Sequence, residues 1–269
     1  MNTVLITGAS SGIGKETAKL FQKNGWNVIA TMRDTQAGKD LAGLDNVKVV
    51  RCDVTDTDSI KESINEGIAA FGRIDVLVNN AGYYAVGPLE AATNEQIERQ
   101  IDTNLMGSIN ATKLIVPHFR GQGSGTVVNI SSIAGVVSIP LQSLYHATKW
   151  GLEGFSEALQ YELRQFNIRV KIIEPGIIKT DFLGRSKTVL HDETLTDYRE
   201  YSEKVMNNLF SMGEKGSPPE IVAETIFKAA TDNSKKMRYR VGRMKGITTM
   251  RKLLPFGLYT RLMRGATEK

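Results

Sequence analysis

Seven short apolar runs rich in β-branched residues, separated by longer segments of helical periodicity, constrain this chain more than any other feature. The runs fall at residues 3–7, 26–31, 47–51, 75–79, 125–130, 168–174 and 238–242. They are apolar on both faces, as strands buried inside a parallel sheet must be. Helical segments are predicted at about 12–24, 57–71, 95–120, 145–166 and 218–231. The last opens with Ser217-Pro218-Pro219-Glu220, where Ser217 can cap and prolines suit a first turn. Strand–helix alternation requires right-handed crossovers. The expected fold is therefore α/β, a Rossmann-type doubly wound, predominantly parallel seven-stranded sheet with helices on both faces.

No repeat, low-complexity stretch or linker divides residues 1–269, so one dinucleotide-binding and catalytic domain is expected. Residues 177–216 form a connection far longer than usual, which predicts a substrate lid. Residues 243–269 form a basic extension. Charge is uneven: residues 235–269 carry 11 Lys and Arg against the single acid Glu268, within a chain of net charge +5. The body is thus mildly acidic, and the tail does not make the protein a nucleic-acid binder. A single cysteine, Cys52, cannot form an internal disulfide. Met1 runs almost directly into the first strand, no leader is expected, and no apolar run reaches the roughly 18 residues of a membrane span. A cytoplasmic setting is expected.

Several polar and glycine residues then stand at strand ends. The first strand enters Thr7-Gly8-Ala9-Ser10-Ser11-Gly12-Ile13-Gly14 and then a helix. Such glycines allow close backbone approach to a diphosphate, and the helix N-terminus offers free N–H groups. Asp53 follows the third strand, Asn79-Asn80-Ala81-Gly82 ends the fourth, and Asn104 lies in a helix. Ser132 stands 13 residues before Tyr145, and Tyr145 stands four before Lys149. That last spacing puts both side chains on one helix face, where the ammonium is expected to lower the tyrosine pKa. Pro175-Gly176-Ile177-Ile178-Lys179-Thr180 follows the sixth strand. His146 is expected to point elsewhere; His118, His191 and Cys52 have no partners at metal-ligand spacing.

In this order and placement the residues resemble the short-chain dehydrogenase/reductase family, and more loosely its hydroxysteroid- and retinol-dehydrogenase-like members. The likeness is dense over residues 1–185 and thinner as far as the strand near 240. It implies an NAD(P)(H)-dependent oxidoreductase that interconverts a secondary alcohol and a ketone or aldehyde. By that likeness Gly8, Ser10, Ser11, Gly12, Ile13 and Gly14 form the diphosphate turn. Asp53 and Val54 contact the adenine. Asn80, Ala81 and Gly82 hold the adenine ribose side, and Pro175, Gly176, Ile178 and Thr180 cradle the nicotinamide. Tyr145 is the general acid/base, Lys149 supplies charge and holds the nicotinamide ribose, and Ser132, with Ser131 as its neighbour and alternative, steadies the substrate oxygen. Asn104 holds a water that links the lysine to solvent. No metal is implied.

Cofactor choice turns on the end of the second strand. Counting about 20 residues from Gly14 reaches Asp34 and favours NAD(H). Aligning by strand end puts Met32 in the acid's slot with Arg33 next, and favours NADP(H) with Arg33 beside the 2′-phosphate. The strand-end alignment carries more weight, because the ligand must sit at the sheet's C-terminal edge. Ser11 occupies a place where some NADP-preferring members carry a second basic residue.

An apolar substrate is expected from Tyr83, Tyr84, Ile139, Leu141, Phe182, Leu183, Met206, Leu209, Phe210 and Met212. The family likeness further implies a homodimer or homotetramer through the helices at 95–120 and 145–166, the second carrying Trp150, Phe155, Leu159 and Leu163. The tail at 246–264 interleaves basic and apolar residues, and Pro255 interrupts any helix. It is expected to pack on its own subunit near the substrate mouth or at a subunit contact, with peripheral membrane contact as the alternative. Two other functional classes compete with this reading. A catalytically inactive regulatory protein on the same fold is opposed by intact Ser132, Tyr145 and Lys149. An epimerase of the extended relatives is opposed by the chain's length and glycine spacing.

Overall fold

The computed structural model describes residues 1–180, 186–244 and 246–268. All seven expected strands are present: β1 (Thr3–Ile6), β2 (Asn27–Met32), β3 (Val47–Arg51), β4 (Val76–Asn79), β6 (Gly125–Ile130), β7 (Ile168–Pro175) and β9 (Arg238–Val241). They form one sheet in the order β3-β2-β1-β4-β6-β7-β9. Every pairing in it is parallel. The strand order reverses between β1 and β4, and a crevice opens there at the carboxyl ends of the strands.

Residue alternation builds the two helical layers. Val4 and Ile6 of β1 face one core with Phe21 of α1 (Gly12–Lys23) and Ile226 of α8 (Glu220–Thr231). Leu5 between them faces the other core with Ile115 and Phe119 of α5 (Gly107–Gln122) and Leu159 of α6 (Ser143–Leu163). The central strands β1, β2, β4 and β6 are buried at every position, whereas edge strands β3 and β9 are not. Each fully buried Phe or Leu contributes roughly 1.5–3 kcal/mol, which makes this double core the main stabilising feature. On the second face α3 (Thr57–Phe71) ends at Gly72, whose φ of +76° is a left-handed stop.

Four departures from the sequence reading matter. The continuous helix expected at 95–120 is α4 (Asn94–Ile101) and α5, joined by a π-turn over Asp102–Met106. A π-turn inserts one extra residue and re-aims the side chains around it. Second, Ser217 does not cap α8: its hydroxyl accepts the Arg243 N–H at 3.1 Å, and Pro219 stands at the helix start. Third, a small parallel sheet pairs β5 (Tyr84–Val86) with β8 (Lys187–Val189). Fourth, the long insertion carries a helix, α7 (Arg199–Glu214), that buries Val205 and Leu209. Phe182 and Leu183 lie outside the described residues.

The tail forms α9 (Ile247–Leu253) and α10 (Phe256–Thr267), with Pro255 between them as expected. Its residues Tyr259 and Met263 pack with Ile133 and Val137 of the chain's own body.

Candidate active site

The sheet's switch point opens into a cleft of about 580 Å³. Its floor is the glycine turn between β1 and α1. Gly8 and Gly12 take φ values of +68° and +54°. A Cβ on Gly8 would stand 2.8 Å from Ala81 Cα, so the turn can approach β4 only as glycine. Asn80 locks the arrangement, donating from Nδ2 to Thr7 O at 2.9 Å and Gly8 O at 3.0 Å. Thr7 Oγ1 in turn accepts the Asn80 and Ala81 N–H groups at 3.0 Å each. The N-terminus of α1 carries no side-chain cap and no acid in its first turn. A phosphate-bearing cofactor fits this unfilled positive end.

Gly8, Ser10, Ser11, Gly12, Ile13, Asn80, Ala81 and Gly82 all line the cleft. Gly14 does not; it lies behind the turn, where a Cβ would run into Gly8 O and Asn80 Nδ2. One end of the cleft is formed by Met32, Arg33, Asp34, Asp53 and Val54. Burial acts to raise the Asp53 pKa. The Thr55 N–H and hydroxyl outweigh it, with Arg33 and Arg51 adding, and hold the carboxyl below its ordinary range. Pro175, Gly176, Ile178 and Thr180 also line the cleft.

Ser132, Tyr145 and Lys149 line the same cleft. Ser132 ends the segment after β6 and its Oγ accepts the Ala134 N–H at 3.1 Å. Its side chain is also hydrogen-bonded to Tyr145. Tyr145 is buried and packs edge-on against Tyr84, with ring centroids 5.4 Å apart. Burial pushes the Tyr145 hydroxyl up to about 12, and the Ser132 hydrogen bond only partly offsets this. The expectation that Lys149 lowers this pKa is therefore not met in this state of the protein. The physical reason is distance and competition. The ammonium lies 5.7 Å from the Tyr145 ring centroid and donates to Ile130 O at 2.8 Å. Burial pulls Lys149 itself down to about 8, with Glu153 opposing, which leaves it charged at neutral pH.

Asn104 is buried and lies outside the cleft wall. Placed by the π-turn, its Oδ1 accepts the Tyr83 N–H at 3.0 Å and its Nδ2 donates to Tyr83 O at 2.8 Å. It thereby fixes the backbone just after Gly82.

Two groups of positioning residues escaped the sequence reading. The His146 ring lies edge-on to Tyr145, with centroids 6.4 Å apart, and its two nitrogens pin the loop that carries Ser132. Its Nε2 accepts the Ile139 N–H at 2.9 Å, so Nδ1 bears the proton donated to Ala134 O at 2.7 Å. Burial lowers its pKa and keeps it neutral. The second group is ionic. Arg238 of β9 reaches Glu153 at 3.0 Å, one turn beyond Lys149, and Glu174 at 3.1 Å, while Arg240 reaches Glu174 at 2.7 Å. Glu153 and Glu174 are buried, and Arg238 and Arg240 pair with them; burial nonetheless raises the Glu153 pKa, against the lowering effect of Arg238. Only the neighbourhood of β7, β9 and α6 in space, not any sequence spacing, reveals the pairing.

Of the residues expected to contact substrate, Tyr83, Tyr84, Ile139, Leu209 and Met212 line the cleft. Leu141 and Met206 pack against Tyr84 and Tyr145 behind it, and Phe210 lies beneath Lys187, 4.1 Å from its ammonium.

The sequence pattern of the family described as short chain dehydrogenase matches residues 2–189. Retinol dehydrogenase 8 of Homo sapiens is 32% identical over 280 residues, covering 96% of this chain and 88% of that protein. A short-chain dehydrogenase structure from Streptomyces avermitilis superposes with a TM-score of 0.82 at 32% identity, covering 98% of this chain and 99% of that one. The structure of ElxO with NADP bound gives 0.72 at 31% identity, over 89% and 95%. With its parallel sheet, its glycine turn and the match over most of its length, the chain belongs to the short-chain dehydrogenase family and is an NAD(P)-dependent oxidoreductase.

Proposed function

We propose that the protein interconverts a secondary alcohol and a ketone or aldehyde on an apolar substrate, with Tyr145 as the general acid/base. The observation that carries this reading is the convergence of Ser132, Tyr145 and Lys149 on the wall of the cleft that also holds the glycine turn. When bound, the nicotinamide cofactor supplies or accepts the hydride. Everything else falls to the chain. The turn at Gly8–Ile13 and the α1 N-terminus hold the diphosphate. The Ser132 hydroxyl and the Tyr145 hydroxyl, already bonded to each other, both address the substrate oxygen. Because burial keeps Tyr145 protonated, its phenol is ready to donate as negative charge grows on that oxygen. The Lys149 ammonium, charged at neutral pH, would hold the nicotinamide ribose of the bound cofactor. Tyr84, Ile139, Leu209, Met212 and Met244 give the substrate end an apolar wall. A panel of ketones and aldehydes assayed by loss of NADPH absorbance tests the reading. Turnover of apolar members is expected. No turnover across the panel, in either direction, would leave the inactive regulatory alternative standing.

The preferred cofactor in this proposal is NADP(H), with NAD(H) as the weaker one. Met32 is the last residue of β2 and is buried, and Arg33 follows it exposed on the cleft rim. The Asp34 carboxylate is turned to its own backbone, accepting the Gln36 N–H at 2.9 Å. Arg33→Ala is therefore expected to raise the KM for NADPH by roughly tenfold or more, the loss of one charge-assisted contact. The KM for NADH should change little. A wild-type protein more efficient with NADH than with NADPH would overturn the assignment and make Asp34 the ribose ligand.

Pairing through α5 and α6 into a homodimer or homotetramer completes the proposal. Leu159 and Leu163 are buried in the chain's own core with Phe155 packed beside them, but Trp150 is 46% exposed on α6. Light scattering at micromolar concentration is expected to give a multiple of the chain mass; a single-chain mass refutes it.

A further inference from the structure

The C-terminal helices present two apolar faces, and the fold uses only one. In α10, Tyr259, Met263 and Thr267 follow one another at four-residue intervals and are buried. They seat the helix on the body, where Tyr259 and Met263 meet Ile133 and Val137. Leu258 and Leu262 also stand four apart but point away from that face, each 47% exposed. Just before them Leu253 is 77% and Phe256 64% exposed. Twelve large apolar side chains are exposed among the described residues, and these four fall within ten consecutive positions. Scattered exposed apolar residues need no explanation, whereas a cluster marks an interaction surface.

The charge around the cluster is predominantly of one sign. Residues 243–267 hold six Lys and Arg and no Asp or Glu, and the acid that follows, Glu268, pairs with Arg264 at 3.0 Å. Lys252, Arg261 and Arg264 stand exposed beside the leucines, and Arg251 stacks over the Phe256 ring at 4.9 Å.

We propose that Leu253, Phe256, Leu258 and Leu262, rimmed by these cations, dock the protein on an anionic lipid surface. The helices would lie in the headgroup layer: none of the described helices is long and apolar enough to cross a membrane. Aliphatic side chains enter the acyl boundary while Lys and Arg remain among the phosphates. A second copy of the chain is the weaker occupant. A two-fold contact would set this surface against itself and oppose like charges across the interface. The docking face also neighbours the cleft. Ile139 and Met244 belong both to the cluster that seats the tail and to the cleft wall. Asn208 of α7 donates to Thr267 O at 3.1 Å, tying α10 to the helix that lines the cleft through Leu209 and Met212. The proposal does not depend on the catalytic reading.

Co-sedimentation of the full chain with vesicles tests it, using phosphatidylcholine alone or with about one-third phosphatidylglycerol. Partition onto the anionic vesicles is expected to exceed that onto neutral ones by roughly tenfold or more at low salt, and to fall steeply at about 0.5 M NaCl. The double substitution Leu258→Glu, Leu262→Glu should cut binding by roughly tenfold or more, with an unchanged melting temperature and unchanged turnover of a water-soluble ketone. Equal binding to both vesicle types, no binding, or binding indifferent to the double substitution overturns the proposal. So does a dimer that dissociates on the double substitution without any vesicle binding, which would assign the face to a second copy.

Discussion

Tyr145→Phe is expected to lower kcat by about 10³-fold while the cofactor binds as before. The ring is buried against Tyr84 and is kept by the substitution, so packing survives. What disappears is the hydroxyl that is hydrogen-bonded to Ser132 and placed to move a proton to or from the substrate oxygen. Loss of one buried hydrogen bond costs about 1 kcal/mol of stability, too little to unfold a domain of this size. Steady-state kinetics and calorimetric titration with NADPH separate the two effects. A kcat within tenfold of wild type would remove Tyr145 from the mechanism. The pH dependence adds a second check. With its pKa pushed up to about 12, the phenol stays protonated across the working range. Reduction should therefore show no alkaline loss attributable to Tyr145 below about pH 11.

Lys149→Met is expected to cost about 10²-fold in turnover and to make the protein more stable at neutral pH. Burial takes the Lys149 pKa from 10.5 to about 8. For a base, a folded-state pKa below the unfolded value means that its protonated form opposes folding. The penalty is complete below pH 8, is relieved as pH rises from about 8 to 10.5, and amounts to about 3 kcal/mol. Methionine fills the same space without charge but abandons the bond to Ile130 O, so a net gain of about 1–2 kcal/mol remains. That corresponds to a rise in Tm of roughly 2–6 °C. Scanning calorimetry without cofactor at pH 7 and pH 10 measures it. The gain should shrink at the higher pH, because folded wild-type Lys149 has by then lost its proton. A lower Tm for the methionine variant at pH 7 would show that the buried ammonium is not a cost. Retention of a fifth or more of the turnover would show that it is not needed.

The sequence alone determined what repeats or what local chemistry dictates. Strands apolar on both faces suit a buried parallel sheet, and their alternation with helical segments made the more polar edge strands β3 and β9 legible beside them. A strand, a glycine turn and a helix start need only neighbouring residues, so Gly8 and Gly12 could be read directly. Tyr145 and Lys149 share one helix face by spacing, and Ser132 lies a short loop away. The tertiary structure decided what depends on partners distant along the chain. Gly14 and Asn104 do not line the cleft: Gly14 packs closely against Gly8 and Asn80, and Asn104 clamps Tyr83. The π-turn that aims Asn104 breaks a periodicity that looked continuous. The role of His146 is invisible in the sequence because its two partners, Ala134 and Ile139, lie in a loop that only folding brings over it. The β5–β8 pairing joins three-residue segments about a hundred positions apart, too short for any pattern to show. The sign of the Tyr145 shift went the same way: helical spacing promised an ammonium within reach, but the folded chain turned that ammonium to Ile130 O and surrounded the phenol with apolar groups. Spacing fixes which side chains can meet, and only packing decides how much water remains between them.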